Sequence, residues 1–290
     1  HAKWLEMTAR LPWRAPVPSL NYLLTSTCWR NDHNGFSHQG PGFMDTVISK
    51  KGNVARVYLP PDGNCLLSVA DHCLRTKNHV NLIIIDKQPQ LQWLDIAAAR
   101  EHCARGAGIW EWACNEGDAG ELDVILACAG DVPTLETVAA AHWLRTHAPG
   151  LRTRVVNVVD LMTVFSPHEH PHGMSEDAFV ELFTRDIDVC FSFHGYPGAI
   201  HSMLHARPNA ARFHVRGYKE EGTTTTPFDM VVLNETSRFH IAMDALRRAR
   251  RPPPNAAALT AECQAILAKH RTYVVEHLED MPEIRNWVWT

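Results

Sequence analysis

The chain has 290 residues, 45% hydrophobic and 21% charged, an ordinary globular composition that argues against intrinsic disorder. A formal charge of -4 supplies no global field drawing it to nucleic acid or an anionic membrane, although a local anion site stays open. No run of about 18 apolar residues suggests a membrane span, and eight cysteines without a CxxC pair fit reduced, mostly buried thiols in a cytoplasmic protein.

The opening His1-Ala2-Lys3-Trp4 reads as neither a signal peptide nor a translation start, so a cut amino end is expected. In chain order, Ser19-Leu20-Asn21-Tyr22-Leu23-Leu24-Thr25-Ser26 predicts a short helix ending near Trp29, followed by a polar loop from Arg30 to Gly35. Residues 55–59 predict a strand, Pro60-Pro61-Asp62-Gly63 a turn, Asn64 a helix cap and residues 80–85 the next strand, together a βαβ unit. That second strand runs out through Asp86-Lys87-Gln88-Pro89, which puts an acid, a cation and an amide at its carboxyl end, the edge that ligands favour. From Gln90 a helix leads to Ile109-Trp110-Glu111-Trp112, and the charged stretch at 115–121 reads as a linker.

A second α/β series follows. Residues 123–129 form a nearly all-apolar strand, Asp131 caps a helix with Pro133 in its first turn, and residues 153–159 form another strand. Ser175 caps a helix to Phe183, residues 189–193 are a strand, and helical spacing resumes over 237–247. Arg250-Arg251-Pro252-Pro253-Pro254 interrupts the series before a last helix near 259–278. The expected class is α/β, as two units in tandem divided at 1–115 and 116–290.

Several constellations can carry chemistry. The loop Asp32-His33-Asn34-Gly35-Phe36-Ser37-His38-Gln39 joins two imidazoles, an amide and a hydroxyl, groups that can bind and protonate oxygen; a solvated capping loop has the same composition. Lys87 and His38, with Arg30 as a third donor, suggest a phosphate or carboxylate site, against a solvated lysine beside a proline turn that Asp86 neutralises. His168, His170 and His172 superficially offer zinc ligands, but alternation with prolines does not fix a tetrahedron, so a rigid loop is expected. His194-Gly195-Tyr196-Pro197 follows a strand and suits a ligand contact or a packed interface equally. The hydroxyl-rich stretch at 216–229 lacks the GxxxxGK[ST] order and reads as a structural loop or subunit contact. The run from Arg247 to Arg251 lacks interleaved aromatics and reads as a solvated helix end.

Five stretches together resemble the phosphoketolase family across practically the whole chain. They are residues 19–26, Trp29-Arg30-Asn31-Asp32-His33-Asn34-Gly35-Phe36-Ser37-His38-Gln39, His168-Glu169-His170-Pro171-His172-Gly173, Phe193-His194-Gly195-Tyr196-Pro197, and residues 215–230. The resemblance implies that 1–115 is the end of a thiamine-diphosphate pyrimidine-binding domain with its linker, and that 116–290 is a transketolase-like three-layer α/β/α domain. It implies a homodimeric enzyme that uses thiamine diphosphate and Mg2+ to cleave xylulose 5-phosphate or fructose 6-phosphate with inorganic phosphate, giving acetyl phosphate and an aldose phosphate. The diphosphate and metal ligands would lie upstream, so no metal residue is assigned here and the chain alone should be inactive.

Matched to the family's motifs, His33 and Asn34 fall on active-site positions, while His38 and Lys87 fall on substrate-phosphate positions. The wording departs from the family's at Gly40, where aspartate is common, and at Asn31, where glutamine is frequent. Transketolase-type two-carbon transfer and a non-catalytic dimerisation module are the alternatives.

Overall fold

Two sheets meet at the carboxyl ends of their strands, and the residues of each strand explain how. The structure, a computed structural model, describes residues 1–25, 27–30, 40–50, 52–116 and 121–290. Helix α1 (Ala2–Ala9) precedes β1 (Leu20–Leu24), and α2 (Gly42–Ile48) precedes β2 (Ala55–Tyr58). Helix α3 (Gly63–Arg75) then crosses to β3 (Val80–Ile84), and the three strands form a parallel sheet in the order β1-β3-β2. The central strand β3 is buried at every position, as its apolar run requires. Its polar side chain, Asn81, donates to Asn21 at 2.7 Å and to Thr76 at 3.1 Å.

The helix expected at 19–26 is instead strand β1. Leu20, Leu23 and Leu24 carry a helical spacing, but so short an apolar run cannot separate helix from strand. The edge of β3 offers a full parallel ladder, Leu20 opposite Val80 through Leu24 opposite Ile84, and that pairing decides. Tyr22 and Leu23 are left exposed.

The expected cap at Asn64 is also corrected. Asp62 is the cap, accepting from the Cys65 N–H at 2.8 Å, while Asn64 sits inside the first turn and donates to the Leu94 carbonyl at 2.8 Å. The second oxygen of Asp62 accepts from the N–H groups of Trp93 and Leu94 at 3.0 and 2.9 Å. One buried carboxylate therefore starts α3 and pins the chain beyond β3. Because those amides are committed to Asp62, the helix expected from Gln90 begins later, as α4 (Ile96–Arg105) capped by Asp95.

The second sheet contains β4 (Ala107–Ile109), β5 (Val124–Ala129), β6 (Thr153–Val158), β7 (Val189–Phe193) and β8 (Phe213–Arg216), in the order β4-β6-β5-β7-β8. Only the β4–β6 pairing is antiparallel among these. Since β4 precedes the linker expected at 115–121, the second sheet already begins ahead of that stretch.

Alternation along β5 shows why its sequence is apolar throughout. Val124 and Leu126 join one core cluster, whereas Ile125, Ala127 and Ala129 join another on the opposite face. The helices are α5 (Asp131–His147), α6 (Glu176–Phe183), α7 (Pro197–Leu204), α8 (Pro227–Leu233), α9 (Arg238–Arg248) and α10 (Ala256–His277). Side chains of α5, α9 and α10 fill the first cluster, and those of α6 and α7 the second. The result is a three-layer α/β/α arrangement. Met44, Val57 and Leu82 of the first unit belong to the same second cluster, so the two units share one continuous core.

The C-terminal tail closes over the junction through aromatic contacts. Trp289 meets Trp112 edge-on at 5.0 Å, and Arg145 stacks over Trp289 at 4.8 Å while donating to the carbonyls of Trp112 and Cys114. Among the described residues no helix is long and apolar enough to cross a membrane.

Candidate functional site

The carboxyl ends of the two sheets are joined directly. Leu59, following β2, donates its N–H to the Val159 carbonyl beyond β6 at 2.8 Å. Asp86, just beyond β3, donates its N–H to Asp131 Oδ2 at 2.6 Å. This is the edge to which parallel sheets direct their ligands.

Asp131 was expected to cap its helix; the N-cap is Gly130, and Asp131 is the first helical residue. Its Oδ1 accepts from the neighbouring Val132 N–H at 2.7 Å and lies 3.8 Å from His194 Nδ1. Gly130 has φ +112, and a Cβ there would come within 2.7 Å of the His194 Cβ, so glycine is required for the β5–α5 turn to pass the imidazole.

Around this acid the chain after β1 returns. Cys28 donates its thiol to the His194 carbonyl at 3.5 Å, and the fully buried Trp29 meets the rings of His194 and Tyr218 edge-on at about 6 Å. Burial pushes the Cys28 thiol well up, and the charge of Asp131 adds to that, which disfavours the thiolate. Arg30 Nη1 then lies 3.8 Å from Asp86 Oδ2.

The Asp86 carboxylate is almost entirely buried. It accepts from the Gln88 N–H at 3.0 Å and from Gln90 Nε2 at 3.1 Å. Burial raises its pKa from the ordinary carboxylate value, with Asp131 adding to the rise, while the Gln88 hydrogen bond, Arg30 and Gln90 oppose it. The cation beside Asp86 is therefore Arg30, where sequence suggested Lys87. Lys87 itself is exposed on the loop past β3.

His33, Asn34 and His38 lie outside the described residues. What the structure places is the frame on either side: Trp29 and Arg30 before them, Gly40 and α2 after them. Tyr196 stands against the far side of this frame, and its hydroxyl donates to Glu220. A Cβ at Gly40 would meet Tyr196 Oη at 3.6 Å, an ordinary contact. Gly40→Asp, which restores the family's common residue, should therefore fold with a stability within about 0.5 kcal/mol of the parent, measured by denaturant titration. A larger loss would mean that glycine is needed at that corner.

A cavity of about 650 Å³ opens beside Trp29 and Arg30, walled by Gln90, Glu136, Arg238 and Thr224 to Phe228. Its charges are largely matched inside the wall: Arg238 forms a bidentate pair with Glu136 at 2.7 and 3.0 Å, and Arg285 pairs with Glu279 at 2.7 Å. The hydroxyl-rich stretch at 216–229 thus lines a pocket as well as packing.

The histidine loop at 166–173 is structural among the described residues. His170 stacks on Phe165 at 5.1 Å, its Nδ1 accepts from the His172 N–H at 3.0 Å, and His172 Nε2 meets Asp160 Oδ2 at 2.7 Å. Burial, aided by Arg56, lowers the His170 value to about 4, so that ring is neutral near pH 7. No group of three or more His, Cys, Asp or Glu residues among the described residues could hold a metal ion.

Sequence reasoning missed Asp131, Asp86 and His194 as parts of one edge. The signal available was position alone: each follows a strand directly, but which strand ends adjoin is a property of the assembled sheets.

A family model described as "XFP C-terminal domain" matches residues 87–289, and one described as "D-xylulose 5-phosphate/D-fructose 6-phosphate phosphoketolase" matches residues 1–76. Proteins named probable phosphoketolase from Rhodopseudomonas palustris (strain TIE-1) and Nitrosomonas europaea are 59% and 58% identical over 290 residues. Each alignment spans 100% of this chain and 37% of the relative's length. Among solved structures, a transketolase mutant from Pichia stipitis superposes with TM-score 0.58 at 16% identity, over 79% of this chain and 30% of that one. A transketolase from Leishmania mexicana gives 0.58 at 14%, over 81% and 30%. A split-gene transketolase solved as an inactive beta4 tetramer gives 0.54 at 12%, over 79% and 66%. At these identities the likeness concerns the fold.

Proposed function

Because this chain belongs to the D-xylulose 5-phosphate/D-fructose 6-phosphate phosphoketolase family, we propose that it is the C-terminal part of an enzyme that cleaves those ketose phosphates with inorganic phosphate. The products are acetyl phosphate, water and a shortened aldose phosphate. The observation offered in support of this reading is the contact between Arg30 and Asp86, which brings the last described residue ahead of 31–39 beside the loop that bears Lys87.

In this proposal His33 moves protons on substrate hydroxyls, Asn34 orients those hydroxyls, and His38 with Lys87 holds phosphate through charge-assisted hydrogen bonds. The complete enzyme would be a cytoplasmic homodimer dependent on thiamine diphosphate and Mg2+; the eight thiols, all free, suit a reducing compartment. The described residues do not fit the cofactor's diphosphate and its cation. They offer no metal-holding cluster, and the acids at the edge, Asp86 and Asp131, are committed to protein donors. The proposal assigns that site to the remainder of the enzyme, with residues 1–115 completing the pyrimidine-binding domain and its linker, whose β4 joins the second sheet, and 116–290 forming the rest of the last domain.

Product analysis tests the reading. A full-length phosphoketolase ending in this chain should release acetyl phosphate from fructose 6-phosphate and phosphate. Transfer of a two-carbon unit to an added aldose, without acetyl phosphate, would establish the transketolase alternative, and no reaction of either kind would leave the chain a dimerisation module.

Lys87 gives a sharper test. A hydrogen bond between charged groups contributes about 1.5 to 3 kcal/mol, so Lys87→Met should lower kcat/KM for fructose 6-phosphate roughly ten- to a hundredfold. Folding should survive, because the side chain is exposed and adds little packing. Lys87→Arg should recover only part of the loss, since the planar fork keeps charge without the compact donor geometry. An unchanged specificity constant in Lys87→Met would return Lys87 to a solvated charge.

A further inference from the structure

We infer that Asp131, which belongs to the second sheet's first helix, is a positioning residue for the loop that bears Lys87, acting through Asp86. This inference rests on the phosphoketolase reading above and adds to it a residue from the other side of the junction.

The argument is a chain of contacts. Asp131 Oδ2 accepts the N–H of Asp86 at 2.6 Å, and this fixes the first peptide of the loop that continues into Lys87. The carboxylate of Asp86, held by the same anchorage, reaches in the other direction to Arg30 at 3.8 Å and folds its own loop through Gln88 and Gln90. Arg30 is the last described residue before the His33–His38 segment. The loop that bears Lys87 and the chain at Arg30 are thus both referred to a single buried side chain.

Asp131 is suited to that task because it has nowhere else to go. Its side chain is 5% exposed, its Oδ1 is occupied by the Val132 N–H at 2.7 Å, and His194 and Gly130 close the space around it. Held on the first turn of a long helix, it is rigid in the way that a loop residue is not. Small misplacements of binding groups are costly.

Asp131→Asn is the informative change. It preserves shape and one acceptor, but the amide nitrogen must then face either the Asp86 N–H or the Val132 N–H, donor against donor. In a full-length phosphoketolase that ends in this chain, the KM for fructose 6-phosphate and for phosphate should each rise about tenfold, with kcat within about threefold of the parent. Asp86→Asn, which keeps the acceptor for Gln88 and removes the charge facing Arg30, should give the same split. The double variant should be no worse than the more affected single variant, because the two act as one unit.

Unchanged KM values in Asp131→Asn overturn the inference, even if the melting temperature falls, since that pattern is the mark of a purely structural side chain. Should Asp131→Asn lose its cooperative melt, Asp86→Asn decides by the same criterion. A parent enzyme that makes no acetyl phosphate overturns the proposed function, and the inference falls with it; a parent that turns over while both variants keep its KM overturns the inference alone.

Discussion

Replacing His33 with alanine in a full-length phosphoketolase that ends in this chain should reduce kcat by about 10²- to 10⁴-fold and leave the melting temperature nearly unchanged. The magnitude is that of a positioned side chain transferring a proton in the transition state. Stability should be spared because the segment is polar, flanked by Trp29 on one side and Gly40 on the other, and the core clusters draw on neighbouring residues such as Trp29 and Met44. His38→Ala, in the same segment, should instead raise KM for phosphorylated substrate and for phosphate. Steady-state kinetics on both variants separate the roles; equal kinetic profiles would refute the division between proton transfer and phosphate binding.

Glu136→Ala should cost about 3 to 5 kcal/mol of stability, the usual penalty for stripping one partner from a buried ion pair. Both side chains of the Glu136–Arg238 pair are at most 6% exposed, and Glu136 also accepts the Arg238 N–H at 2.7 Å, which fixes the start of α9 against α5. The guanidinium left behind would sit over the rings of Phe228 and Trp287, each 5.3 Å away, with no acceptor replacing the carboxylate. The pair also borders the cavity beside Arg30, so its loss should loosen that wall. Thermal melting should fall by on the order of 10 °C. Replacing both partners with apolar residues of similar volume should recover much of this, since the penalty is an orphaned charge more than a lost attraction. A drop below about 1 kcal/mol in the single variant would show that water reaches Arg238.

The second sheet was legible from sequence for a definite reason. Residues 124–129 are apolar without alternation because both faces of β5 are covered, and Ser175 and Ser237 announce the starts of α6 and α9. β1 was not legible, because Leu20, Leu23 and Leu24 satisfy a helical spacing and only the free edge of β3 makes them a strand. Asp62 and Asp131 were misjudged for a related reason. Each is a short carboxylate near a helix start, yet each serves chain segments far away in sequence, Trp93 and Leu94 for one and Asp86 for the other. Local rules for caps describe the nearest amide and are silent about the distant one.

The candidate site divides in the same way. The chemistry proposed for His33, Asn34, His38 and Lys87 comes from residue type and family resemblance, whereas the contacts of the described residues beside them are tertiary. Arg30 meeting Asp86, and Asp86 meeting Asp131, require two sheets to meet end to end. No spacing along the chain encodes that meeting, because the three residues come from three different strand ends.

The most direct test compares the 290-residue chain alone with the same chain joined to the upstream part of a phosphoketolase, each supplied with fructose 6-phosphate, phosphate, thiamine diphosphate and Mg2+. The account predicts acetyl phosphate from the joined enzyme and none from the purified chain, because the chain spans 37% of the length of its relatives and the proposal assigns the cofactor's diphosphate site to the remainder. Turnover by the purified chain, or a folded joined enzyme that releases no acetyl phosphate, would contradict it.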